Sequence, residues 1–238
     1  MKNKKLLFII IPVAIVFMAG IVFLALWLSR GKLDYNGAAN YVGEIIQHED
    51  IITSYVSLDS SFNYDEIDRD ALSAFQNSVS SVSSYYESLR ASTAMNDEEV
   101  QNRYNEIMPL INKLTEISTA SDLLMAYVDE VSSNGYAAAT DELDALIASS
   151  NAFLITLGTD LSDYYTSLAE FEEKYQTGKA ENYNTMIEEY GNFVLNGEKL
   201  TAKYSSVTFE EVFKINSTDI SDYFAKLKEL ESYLRDKI

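Results

Sequence analysis

The chain has 238 residues, of which 37 are acidic and 18 are basic, giving a net charge of −19, and it contains one histidine and no cysteine. The lack of cysteine excludes disulfides and thiolate metal sites. An acidic surface argues against binding nucleic acid, because affinity for phosphates comes from basic side chains.

The chain begins with a charge-free apolar run from Leu6 to Leu28. A helix needs about 20 apolar residues to cross a bilayer. We therefore predict that residues 6–29 form one transmembrane helix that anchors the chain in the lipid bilayer of the plasma membrane. The alternative is a cleaved signal peptide, but its apolar region usually has about 7–15 residues. We expect the anchor to be retained.

The charges beside this segment predict its orientation. Three lysines lie within the first five residues, only Arg30 and Lys32 follow the apolar run closely, and every acidic residue lies beyond it. Basic residues favour the cytoplasmic side. We predict a short cytoplasmic N-terminus at 1–5, a juxtamembrane hinge at 30–37 and an extracytoplasmic helical domain at 38–238.

The rest of the chain shows helical periodicity almost throughout and no alternating strand pattern. After a first helical segment at 34–58, the segment from Tyr64 to Arg90 has apolar residues three and four positions apart, as in a coiled coil. Asn63 and Glu66 are a predicted N-cap and its N3 acid. The apolar seam consists of Leu72, Phe75, Val79, Val82, Tyr86 and Leu89.

Further seams follow in chain order. One opens at Asn96 and contains Pro109, which should kink it, and the next begins near Ser121 and stops before Asn134 and Gly135. A longer helical pattern runs from Leu143 to Tyr175, and if it is continuous it forms a helix on the order of 50 Å long. The following seam consists of Tyr183, Ile187, Tyr190 and Val194, in a helix ending near Gly197.

The C-terminal part predicts two more helices. Thr208 and Glu211 can cap a short turn. The final helix starts near Thr218 and has basic residues between its apolar positions, which we expect to pack beside acidic helices. Its apolar face consists of Ile220, Phe224, Leu227, Leu230, Leu234 and Ile238. We therefore predict an all-α fold: a single transmembrane helix followed by an elongated antiparallel helical bundle with coiled-coil-like packing.

No motif in the sequence indicates a catalytic, cofactor or metal site. His48 is the only histidine, and there is no nucleophile elbow or glycine-rich phosphate loop. A loop from Asp59 to Asp70 has oxygen ligands at calcium-loop positions 1, 3, 5, 7 and 12. It has Tyr64 where such loops need glycine, so a helix-capping turn is favoured and calcium stays an alternative.

Tyrosine is abundant, with 17 copies. Those at seam positions, such as Tyr86 and Tyr164, are predicted core residues. Tyr85, Tyr165 and Tyr223 lie beside the seams and are predicted to point partly outward. These three form the predicted interaction surface, because aromatic rings are enriched where proteins bind partners.

Together these features favour a non-enzymatic, membrane-anchored cell-envelope protein that presents an acidic helical bundle for protein interaction, as scaffold, spacer or accessory subunit. Its partner would be another envelope protein or a second copy, and the oligomeric state stays open. The alternative is an extracytoplasmic ligand-binding or sensing module that acts through a partner membrane protein. An enzyme would need a buried carboxylate cluster in a pocket.

Overall fold

In the computed structural model, the structure describes residues 33–57, 68–176 and 183–238, which are helical almost throughout and contain no strand. A 3-10 turn at Thr93–Asn96 separates the third and fourth helices. The predicted all-α class is confirmed. The helices are α1 (Tyr35–Ile46), α2 (Glu49–Val56), α3 (Arg69–Ala91), α4 (Glu98–Asn134), α5 (Thr140–Ile147), α6 (Ala152–Gln176), α7 (Tyr183–Tyr204), α8 (Phe209–Phe213) and α9 (Ser217–Arg235).

The predicted cytoplasmic N-terminus and membrane span at 6–29 lie outside the described residues. Within the described ranges, none of the helices combines the length and apolar character that crossing a bilayer requires. The first described helix, α1, begins where Asp34 accepts a hydrogen bond of 2.8 Å from the Gly37 amide. The last three residues of the predicted hinge at 30–37 therefore form the first turn of α1.

Four helices, α1, α3, α4 and α9, form a ring in which each packs against two neighbours. The ion pair of Arg69 with Asp129 and the packing of Tyr86 on Tyr104 show that α3 and α4 are antiparallel. Lys226 lies 3.7 Å from Glu106 across α9 and α4. The predicted helical bundle is confirmed, and α2 extends α1 along the same side.

The core of this bundle follows the predicted seams. All six apolar residues of the α3 seam are buried. In α9, the positions from Ile220 to Leu234 are buried, whereas Ile238 lies beyond the helix and is 70% exposed. Lys228 of α9 pairs with Glu49 of α2 at 2.6 Å, so basic residues of the last helix do lie beside acidic helices.

Two helix starts differ from the prediction. Asp68 has extended backbone and accepts from the amides of Asp70 and Ala71 at 3.0 Å, so α3 begins at Arg69 rather than near residue 64. The predicted cap Asn63 lies outside the described residues. Likewise Asp97, not Asn96, caps α4. An aspartate directly before the helix satisfies free amides at its first turn.

Helix α4 is continuous over 37 residues, where two segments were predicted. It runs through Pro109 and Ser121, and the buried residues Leu110 and Ile111 next to the proline hold that region in the core. Packing of this apolar face outweighs the one backbone hydrogen bond that proline removes. Gly135, with a φ of 84°, ends the helix at the predicted position.

The helical pattern from Leu143 to Tyr175 does not form one continuous helix, because the chain breaks after α5. The side-chain oxygen of Asn151 accepts from the amides of Phe153 and Leu154 at 2.9 and 3.2 Å and starts α6. A methyl group on Gly158 would lie 2.9 Å from the Ile147 side chain. This glycine therefore lets α6 cross closely over α5.

The second half of α4 is covered by the segment between α4 and α9. Asn151 donates to Glu116 of α4 at 3.1 Å and to the Val212 carbonyl of α8 at 3.2 Å. Helix α8 starts with the predicted capping box of Thr208 and Glu211. Helix α7 does not end near Gly197 as predicted but continues to Tyr204.

Candidate functional site

An open groove lies between the second half of α4 and α7, with α6 as its floor. Its volume is about 490 Å³. We call it the tyrosine groove, because five tyrosines line it. The lining residues are Tyr127, Val128, Val131, Ser132 and Tyr136 from α4 and the turn after it; Leu161, Tyr164, Tyr165 and Leu168 from α6; and Phe193, Val194, Gly197, Leu200, Thr201 and Tyr204 from α7.

A glycine shapes the side of the groove formed by α6 and α7. The rings of Tyr164 and Phe193 are stacked with centroids 4.6 Å apart. A methyl group on Gly197 would lie 2.7 Å from the Tyr164 hydroxyl oxygen. Any larger residue at position 197 would push this ring away from α7. The glycine thus permits the flat contact that keeps Tyr164 on the groove floor.

Tyrosines also join the floor to α4. The hydroxyl groups of Tyr127 and Tyr165 are 2.9 Å apart and share a hydrogen bond. The Tyr136 ring stacks on Tyr165 with a centroid distance of 4.7 Å. Stacked aromatic pairs add stability beyond the area that they bury. These contacts hold α6 beside the end of α4 and leave the space toward α7 open.

Tyr204 closes one end of the groove. Its hydroxyl donates to Asp160 at 2.5 Å, and Lys203 pairs with the same carboxylate. Burial, and then the hydrogen bond to Asp160, raises the pKa of Tyr204 to about 12. Hydrogen bonds from Lys203 and Tyr204 lower the pKa of Asp160. At neutral pH the tyrosine is therefore a neutral donor and the aspartate is charged.

No Asp, Glu, Lys, Arg or His is among the described residues that line the tyrosine groove. The surface instead combines aromatic rings, aliphatic side chains and hydroxyl groups. Such a surface can bind an apolar face by stacking and by burying its area.

A row of exposed apolar side chains lies beside the groove on α7. Tyr183 is 67% exposed, Ile187 51%, Tyr190 56% and Val194 39%. We call these four residues the α7 stripe. The sequence predicts Tyr190 as a core or core-rim residue, which is wrong, because α7 packs on α6 through a neighbouring face. The half-buried residues of that face are Met186, Phe193 and Leu200.

The predicted interaction surface is divided among three helices. Tyr85 lies on α3, Tyr165 on α6 and Tyr223 on α9, and each is half-buried and packed against the core. Of the three, Tyr165 alone lines the tyrosine groove. The ring of Tyr223 has the Lys226 ammonium 5.9 Å from its centre.

The apolar spacing predicts Tyr164 at a seam position and a helix end near Gly197, but it does not indicate a groove. A signal for the groove exists in the sequence, since tyrosine and glycine replace aliphatic residues where α6 and α7 meet. That pattern does not say which helix face lacks a neighbour.

The structure describes only part of the candidate metal and catalytic residues. His48 stands directly before α2 and makes no capping hydrogen bond with its side chain. Residues 59–67 of the loop at 59–70, for which calcium is the alternative to a helix-capping turn, lie outside the described residues, and Asp70 is in the first turn of α3. Within the part of the chain that the structure describes, no group of three His, Asp or Glu side chains could hold a metal ion.

Comparison of the chain with protein-family models, with curated proteins and with solved structures finds no match.

Proposed function

We propose that this chain is a non-enzymatic, single-pass membrane-anchored protein of the cell envelope that presents an acidic helical bundle for protein interaction. The observation that carries the proposal is the tyrosine groove, which is uncharged and open, with the exposed α7 stripe beside it. An exposed row of apolar side chains such as the α7 stripe marks a site where proteins bind one another. The role would be that of a scaffold, spacer or accessory subunit.

The contrast between the two parts of the domain supports this proposal. In the ring of α1, α3, α4 and α9, the large apolar side chains on the inner faces are buried. On α7, by contrast, four large apolar residues are exposed in a row. Exposing them to water is unfavourable by roughly 25 cal/mol per Å² of apolar area, so a binding partner would stabilise this face.

The anchor is supported by the sequence. The charge-free run from Leu6 to Leu28 is long enough to span a bilayer, and the lysines before it favour a cytoplasmic N-terminus. The acidic domain would then face outward. Repulsion from anionic lipid headgroups would keep such a domain away from the membrane surface.

The tyrosine groove also favours a second candidate, an extracytoplasmic ligand-binding or sensing module that acts through a partner membrane protein. Its volume of about 490 Å³ lies within the range of about 300–1,000 Å³ that is usual for small-molecule pockets. Hydroxyl groups among aromatic rings would suit an uncharged ligand with one apolar face.

Photocrosslinking in the native membrane separates the two candidates. A photoreactive phenylalanine analogue in place of Val194 lies at the groove, and the same analogue in place of Asn192 lies on the opposite, exposed side of α7. An interaction protein gives a discrete polypeptide adduct from position 194 and none from position 192. If position 194 gives no polypeptide adduct and native mass spectrometry finds a bound small molecule, the second candidate replaces the first.

A further inference from the structure

We infer that the tyrosine groove binds an amphipathic α-helix from another protein, with basic residues beside the apolar face of that helix. This inference rests on the proposed interaction function and specifies its partner. Amphipathic helices commonly bind in apolar grooves between helices, using anchors spaced three and four residues apart.

The helices around the groove leave the space of one further helix. Asp160 and Glu189 pair with Lys203 and Lys174 respectively, so α6 and α7 are antiparallel. The contact of Tyr127 with Tyr165 brings α6 against α4. The groove thus lies between α4 on one side and α7 on the other.

The dimensions of the site suit several turns of helix. The groove follows α7 from Phe193 to Tyr204, and the α7 stripe extends it to Tyr183. At about 1.5 Å per residue, this length of α7 is on the order of 30 Å. A small molecule would occupy the groove but would leave the stripe exposed. A helix of about 20 residues would cover both.

Charge selects the kind of helix. Glu198 is exposed and lies one helical turn after Val194, on the side of α7 that carries the α7 stripe. The lining itself carries no charge, and the chain as a whole has a net charge of −19. A partner helix with Lys or Arg beside its apolar face would place those cations near the Glu198 carboxylate. Charge complementarity of this kind favours the correct partner and disfavours others.

The same charges argue against a second copy of the chain and against anionic lipid as occupants of the groove. A second copy of this chain would bring the same carboxylate to the rim, because both chains are acidic, with a net charge of −19 each. Helix α9, which has three basic residues, has its apolar face buried in the bundle. Anionic lipid would be repelled by the acidic rim.

The test uses the full chain in nanodiscs of zwitterionic phosphatidylcholine and two fluorescently labelled designed peptides of 21 residues. Both peptides have the same heptad pattern of leucines, and one has lysines and the other glutamates at the flanking positions. Fluorescence anisotropy should show at least tenfold tighter binding of the lysine peptide. Empty nanodiscs measure and subtract binding of each peptide to lipid.

Two variants locate the binding face. Val194→Glu puts a charge on the groove wall and should weaken binding of the lysine peptide at least tenfold. Asn192→Glu adds the same charge to the opposite side of α7 and should change binding less than twofold. Both positions are exposed enough to tolerate the change, and circular dichroism checks that the fold is retained. Glu198→Lys should reduce the preference for the lysine peptide.

Three results would overturn the inference. The first is equal binding of both peptides, and the second is an equal effect of Val194→Glu and Asn192→Glu. The third is a dimer of the full chain, seen by sedimentation, that Val194→Glu abolishes, since the groove would then hold a second copy. If the peptides do not bind but position 194 still gives a polypeptide adduct in native membranes, the helix inference fails while the proposed function stands. If the peptides do not bind and position 194 gives no polypeptide adduct, the helix inference and the proposed function both fail.

Discussion

Tyr35 and Tyr233, from the first and last described helices, donate hydrogen bonds to the same side-chain oxygen of Asp97, at 2.8 and 3.1 Å. The other oxygen of Asp97 accepts from the Glu99 amide at 2.9 Å and caps α4. One carboxylate therefore connects α1, α4 and α9. These hydrogen bonds, that from Tyr35 foremost, lower the pKa of Asp97. The bond to Asp97 in turn raises the pKa of Tyr35 to about 12.

The first prediction concerns these two hydroxyl groups. Tyr35→Phe and Tyr233→Phe should each lower the free energy of unfolding by about 0.5–1.5 kcal/mol, because each removes one hydrogen bond. The loss of unfolding free energy in the double variant should differ from the sum of the two single losses, since both donors share one acceptor. Urea denaturation measures all three. Tyr183→Phe, at a site that is 67% exposed, is the control and should have no effect.

The second prediction concerns acid stability. The pKa of Asp97 is lower in the folded chain than in the unfolded chain. Its contribution to the stability of the fold is therefore complete above the ordinary aspartate pKa near 4. This contribution is lost as the pH falls through the folded-state pKa. Asp97→Asn keeps a side chain that can cap α4 but removes the charge. The free energy of unfolding, measured from pH 2 to 7, should depend less on pH in this variant than in the original chain. An unchanged pH dependence on the acid side would show that Asp97 does not contribute to acid stability.

The third prediction compares two glycines in helix interiors. Gly158→Ala should destabilise the fold by about 1–3 kcal/mol, because the methyl group would lie 3.2 Å from the Ile147 backbone nitrogen as well as against its side chain. Gly191→Ala should instead stabilise the fold by up to about 1 kcal/mol, since nothing lies within 4 Å of that position. Thermal and urea unfolding of both variants should show opposite signs. Effects of the same sign would mean that α5 and α6 do not cross as closely as described.

The fourth prediction concerns Asn151, which is buried and bonds to two amides, one carboxylate and one carbonyl. Asn151→Ala should lower the free energy of unfolding by about 2–3 kcal/mol, because it removes a helix cap and leaves buried polar groups without a partner. The neighbouring exposed residue Ser150, changed to alanine, serves as the control. Similar stabilities of the two variants would show that Asn151 does not fix the break between α5 and α6.

The fifth prediction concerns alkaline pH. The pKa of Tyr204 is raised to about 12, so its protonated form is favoured in the folded chain. This contribution to stability is complete below the ordinary tyrosine pKa near 10 and is lost as the pH rises toward 12. Tyr204→Phe should therefore flatten the fall in stability between pH 10 and 12. Ultraviolet titration of tyrosinate should also lose one late-ionising group, and loss of an early one would contradict the assignment.

The sequence predicted best those helices whose apolar faces meet the centre of the bundle. In α3 and α9, residues such as Phe75 and Phe224 have the spacing of a buried seam and are buried. The same reasoning failed at the break before α6, because the spacing of apolar residues continues through Asn151. Local hydrogen bonding by this one side chain decides the break, and periodicity does not detect it.

The candidate site was less predictable for a related reason. Tyr190 and Val194 have the same spacing as core residues, yet they are exposed because no described helix packs on that face of α7. Periodicity shows that a helix has an apolar face but does not show what covers it. The close contact of Gly197 with Tyr164 depends on a residue from another helix, so it cannot be predicted from either segment alone.

The order of the helices in the ring has a consequence for synthesis. Helices α1, α3 and α4 are complete when residue 134 has been made, but the ring closes only with α9. At about 5–20 residues per second, the ribosome needs on the order of ten seconds for the residues in between. During that interval the apolar edge between α1 and α4 stays open to water. A nascent chain stalled before residue 217 would therefore expose this edge to chaperones and proteases.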